Sequence, residues 1–126
     1  MISWFERHPE ASWVLTIVAA VGIFWVSSLS FGSGVPGIDI VPILYHILSF
    51  FVLATFLLIS LVGGQRKRLF VLGIVLAIVY GVSDELHQFF VPGRYMSLFD
   101  IFLDGIGVIF AAMIYFILVE SRESKD

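Results

Sequence analysis

Four apolar stretches, each close to the roughly 17 to 25 residues that a helix needs to cross a bilayer, constrain this chain more than any motif in it. They span about residues 12–31, 40–62, 69–90 and 97–119, with short polar or glycine-rich breaks between them. In hydrocarbon every backbone N–H and C=O needs an internal partner, so such stretches must be helices. The chain has 126 residues, 60% hydrophobic and 13% charged, where a soluble domain carries about 25% charged residues to cover its surface. The fold expected is an all-α integral membrane protein, a four-transmembrane-helix bundle forming a single domain over residues 1–126. With a net charge of -3 and no long basic run, there is no electrostatic footprint for nucleic acid. The absence of Cys excludes disulfides and thiolate chemistry.

Punctuation supports the segmentation. Pro9 suits a helix start, Asp39 an N-cap with Pro42 in the following turn, Gly63-Gly64 a helix end, and Pro92-Gly93 a break. The first stretch does not look like a cleaved signal peptide, because it is too long and its flank carries Glu6 and Glu10 against Arg7. Orientation follows from Lys and Arg in the short loops. Arg7, Arg66, Lys67, Arg68, Arg122 and Lys125 fall on one side, leaving only Arg94 of the seven basic residues on the other. That predicts both termini cytoplasmic, in a multi-pass protein of the cell membrane. Trp4, Trp13, Tyr45 and Tyr95 lie near segment ends and suit interfacial anchors.

The exception to all this apolarity is residues 80–107, YGVSDELHQFFVPGRYMSLFDIFLDGIG. Ionisable groups at membrane depth cost a few kcal/mol unless paired, hydrated or used. At 1.5 Å per residue Asp84 sits roughly 22 Å along its helix from Leu69, near the outer face. His46 and the pair Asp100 and Asp104 fall at the same depth on their own helices, which gathers the cluster near the extracytoplasmic face. Residues three and four apart share a helix face. Gly73, Ala77, Tyr80, Asp84, His87 and Gln88 make one stripe, and Asp100, Asp104, Gly107 and Ala111 another. Small residues let membrane helices approach, so both stripes suit the bundle interior, with the polar side chains in an outward-opening pocket. Glu85, about 100° from Asp84, is expected to face another neighbour or the headgroups. Ser97 to Asp100 has the pattern of a capping box.

The run Tyr80, Ser83-Asp84-Glu85, His87-Gln88, Phe90, Pro92-Gly93-Arg94, Asp100 and Gly107 resembles the signature of the VanZ-like family, small membrane proteins named for a teicoplanin resistance factor. Over the second helix the family often shows Asp-Lys-x-x-His; here the stretch is Pro42-Ile43-Leu44-Tyr45-His46, with the His alone retained. Asp104 stands where the family usually has Asn, which adds a carboxylate. The resemblance implies a cell-envelope setting and a link to antibiotic resistance.

For chemistry, the candidate catalytic residues are Asp84, Glu85, His87 and Asp100. His87 suits a general acid or base, with Asp84 or Asp100 fixing its tautomer. His46, Gln88, Arg94, Asp104 and Tyr80 are candidate substrate-binding residues, Arg94 as a bidentate grip on phosphate or carboxylate. Hydrolysis or group transfer on a lipid-linked or amphipathic substrate is the simplest scheme. A divalent cation on Asp84, His87, Asp100 and Asp104 is a variant. Non-catalytic capture of a lipid or glycopeptide, and a structural role in a membrane complex, are the alternatives. Membrane lipids are the expected partners. A homodimer is one way for four short helices to bury more area.

Overall fold

A computed structural model describes residues 1–30 and 39–125. The expected end of the first span at Phe31, and the loop after it, lie outside the described residues. A short helix α1 (Ile2–Arg7) precedes α2 (Pro9–Ser27), with Pro9 in the first turn of α2, where its missing N–H breaks no helical bond. Next come α3 (Ile40–Val62), a single 3-10 turn at Lys67–Leu69, α4 (Phe70–Phe89) and α5 (Leu98–Glu123). Among the described residues there is no strand, and α2, α3, α4 and α5 are each long and apolar enough to cross a membrane. Asp39 caps α3 by accepting from the Val41 N–H at 3.0 Å. Gly63 closes the same helix in the left-handed region at φ 54°, which glycine reaches without a Cβ clash.

α3 is the hub. It packs on α2, α4 and most extensively on α5; α4 also packs on α5 and lightly on α2, so α2 and α5 occupy opposite corners. α2 is partly inside out relative to a helix of a soluble bundle: it buries Ser12, Thr16 and Ser27 beside Ile23, while Val14, Ile17, Val18, Val21 and Trp25 face outward. Lipid solvates apolar side chains well, so close packing and interhelical hydrogen bonds hold the helices together. Thr16 and Ser60 meet at 3.4 Å across α2 and α3, and the Tyr80 hydroxyl of α4 donates to the Ala20 carbonyl of α2. The tightest approach is at Gly107 on α5. A Cβ there would lie 2.3 Å from the Ile47 carbonyl oxygen and 3.0 Å from the Phe51 nitrogen of α3.

The chain's two ends and the α3–α4 turn come together. Arg122 grips Glu6 with both guanidinium nitrogens, at 2.6 and 2.9 Å, and the Tyr115 hydroxyl donates to Glu6 at 2.9 Å. Tyr115 in turn accepts from the Gly64 N–H at 3.1 Å, and Lys67 pairs with Glu120 and Glu123. The basic residues counted for topology therefore cluster at one end, with Arg94 at the other. Trp4, Trp13 and Tyr95 are exposed, as anchors require, but Tyr45 is not one. Its hydroxyl is buried, with no hydrogen-bond partner among the described residues.

Candidate functional site

At the end opposite the Glu6 network, α3, α4 and α5 place four ionisable side chains against one another. His46, on α3, is 4% exposed and its Nδ1 lies 2.8 Å from Asp104 Oδ1 of α5. A carboxylate can only accept, so the proton is on Nδ1 and the lone pair of a neutral ring is left on Nε2. That nitrogen faces Asp100 Oδ2 at 3.6 Å, one turn earlier on α5 and beyond hydrogen-bond range. Glu85 of α4 completes the group at 0% exposure, and Asp104 is 2% exposed.

Glu85 is held by the start of α5. Ser97 is the N-cap and accepts from the Asp100 N–H at 3.2 Å, as a capping box would have it. The reciprocal bond comes from another helix: Glu85 Oε2 accepts from the Ser97 N–H at 3.0 Å. Asp100, relieved of that task, turns toward His46. Of the two expectations for Glu85, another neighbour or the headgroups, the structure shows the first. The line Gly73, Ala77, Gly81, Glu85 runs at spacing four along one face of α4, and all four are buried. Gly81 makes the meeting possible, since a Cβ there would press to 3.2 Å on both Asp104 Oδ2 and Phe50 Cε1.

The other predicted residues form a second group toward α2. Asp84 is buried; Gln88 donates to it at 3.4 Å and accepts from Arg94 at 2.7 Å, and Arg94 also donates to the Leu29 carbonyl at 2.9 Å. His87 stands apart from the carboxylates expected to orient it. Its Nε2 meets the Ser28 hydroxyl at 2.9 Å and its ring stacks on Phe24. Tyr80 is spent on its bond to α2, although it lies on the same stripe. The carboxylate–histidine pairing expected of His87 is instead made by His46.

Several buried oxygens at this end have no hydrogen-bond partner among the described residues: Asp84 Oδ1, Glu85 Oε1, Asp104 Oδ2 and the Tyr45 hydroxyl. His46, Glu85 and Asp104 each offer one ligand atom, all within 4.8 Å of one another. Of the cation ligands expected from sequence, only Asp104 belongs to this trio. Tyr45, Gly81 and Ser97 were not singled out for the site. Gly81 was legible in the spacing of small residues; Tyr45 was hidden because a tyrosine near a segment end has a commoner interfacial use.

A cavity of about 510 Å³ opens at the opposite end, lined by Glu6, Arg7, Arg66 and Arg122 among others. No curated protein and no solved structure matches the chain. The family model described as VanZ/LLP1 matches residues 5–119. That match takes in α2, α3 and α4 whole, α5 as far as Val119 and the whole acid–histidine cluster, and this multi-pass membrane protein belongs to the VanZ/LLP1 family.

Proposed function

We propose that the cluster around His46 is a site acting on a lipid-linked or amphipathic cell-envelope substrate, by hydrolysis or group transfer. The observation that carries this reading is the His46–Asp104 pair, 2.8 Å apart and enclosed with carboxylate oxygens that have no hydrogen-bond partner among the described residues. A membrane protein stabilised only by polar contacts would match each buried group, because an unmatched one costs a few kcal/mol. His46 is the general acid or base and Asp104 the residue that orients its ring. Asp100, the most exposed member at 27%, marks the approach to the site. Arg94, held by Gln88 and the Leu29 carbonyl, is placed at the rim to bind phosphate or carboxylate.

The basic end faces the cytoplasm and the acid–histidine end the outside of the cell membrane, on the rule that short cytoplasmic loops collect Lys and Arg. Cysteines placed at Gly93 and Gln65 in intact cells test this: Gly93Cys alone should react with a reagent that cannot cross the membrane. The functional test is a mass-spectrometric profile of membrane lipids and cell-wall precursors from cells expressing the native protein or His46→Gln at matched levels. A species that changes only with the native protein is the expected result. Identical profiles would sink turnover and turn attention to capture of a lipid or glycopeptide without chemistry.

A further inference from the structure

We propose that His46, Glu85 and Asp104 hold a divalent transition-metal ion of the zinc class. The inference rests on the reading that this cluster is the site, but not on the identity or turnover of any substrate; with an ion bound, His46 is a ligand and Asp100, the most exposed member of the cluster, takes the acid–base role. Three features point to it. Glu85 Oε1 and Asp104 Oδ2 have no hydrogen-bond partner among the described residues, on side chains 0% and 2% exposed, and both belong to residues whose second oxygen is already bonded. A single group that satisfies both carries positive charge. His46 Nδ1 lies 2.8 Å from Asp104 Oδ1, so a cation that displaces the proton between them is shared by this nitrogen and Asp104, and the ring proton moves to Nε2, which faces Asp100 Oδ2 at 3.6 Å.

The donor set selects among cations. One imidazole and two carboxylates suit zinc and its neighbours, whereas magnesium and calcium favour all-oxygen shells of six or more and keep their waters. On a tetrahedron of 2.0–2.1 Å bonds the ligand atoms lie about 3.3 Å apart, so a trio whose atoms now lie within 4.8 Å of one another has at most about 1.5 Å to close. Three protein ligands leave a fourth position open, the arrangement of metal sites that bind water or substrate. The Ser97 N–H on Glu85 Oε2 supplies the kind of outer hydrogen bond that fixes a ligating carboxylate.

The test is metal binding by the tag-free protein purified in detergent, treated with chelator and titrated with Co²⁺ and Zn²⁺. One Co²⁺ per chain, giving a visible ligand-field band that equimolar Zn²⁺ abolishes, is expected in the native protein. His46→Gln, Glu85→Gln and Asp104→Asn should each lower affinity at least 100-fold, while Asp84→Asn and His87→Gln, in the neighbouring group, leave it within about threefold. A native protein that binds neither ion, or a band that survives in His46→Gln and is lost on replacing the exposed His8, overturns the proposal. Because the readout uses no substrate, the two ideas fail separately. Metal binding with unchanged lipid profiles leaves this inference standing without the enzyme, and changed profiles without metal do the reverse.

Discussion

The two ends of the bundle are both polar, and they are built on opposite terms. At the basic end Glu6 has three donors on its two oxygens, Tyr115 both gives and accepts, and the result ties the first helix, the α3–α4 turn and the last turns of α5 together. At the acid end, Glu85 and Asp104 are buried like core residues, and each keeps an oxygen with no hydrogen-bond partner among the described residues. The difference separates two uses of charge in a membrane protein. A satisfied network is a fastening; an unsatisfied one is held under cost by the helices around it, and a function is the simplest reason to hold it.

The sharpest way to break that contrast is to exchange the consequences. His46→Gln should cut the lipid-profile activity at least about 100-fold, the range for loss of a general acid or base, while shifting thermal unfolding little. A parallel loss of abundance and activity would place His46 among the fastenings. Next in size is the support beneath the acid end. Gly107→Ala drives a Cβ to 2.3 Å from a backbone oxygen that cannot rotate away, and should cost about 3 kcal/mol in denaturant unfolding as α3 and α5 part. Gly105→Ala, where nothing lies within 4 Å, should instead stabilise by up to about 1 kcal/mol.

At the basic end, Glu6→Gln should cost about 1–2 kcal/mol, less than a fully enclosed pair because Arg122 is 41% exposed. The pH dependence follows from the same contact. Burial pushes the Glu6 carboxyl up, but the hydrogen bonds from Arg122 and Tyr115 and the Arg122 charge outweigh it and hold the group below its ordinary 4.5. A depressed value means that the stabilisation is fully present above the unfolded value and is lost as pH falls through the folded one. Thermal unfolding of native protein should therefore steepen its decline below about pH 4.5, and Glu6→Gln should flatten that limb. The smallest effect belongs to Glu85→Gln in chelator-treated protein. The amide keeps an acceptor for the Ser97 N–H and removes an unmatched charge, so stability should stay within about 1 kcal/mol or rise. A loss as large as that of Glu6→Gln would make the two ends alike.

The sequence by itself determined the class of fold and the neighbourhood of the site. Span length sets helix in a bilayer because no other backbone satisfies itself there, and the spacing of Asp100, Asp104, Gly107 and Ala111 placed those residues on the buried face of α5. The same periodicity gathered His46 and the carboxylates at one depth, since rise per residue is fixed. Which histidine meets which carboxylate was decided by the tertiary structure alone. One helix face spans about 100° and can serve two neighbours, so Asp84 and Gln88 turn toward α2 and Arg94 while Glu85, one residue on, reaches the start of α5. Helical spacing gives the direction of a side chain about its own axis, but not what stands opposite. The packing order of α2, α3, α5 and α4 supplies that, and with it moves the carboxylate–histidine pair from His87 to His46.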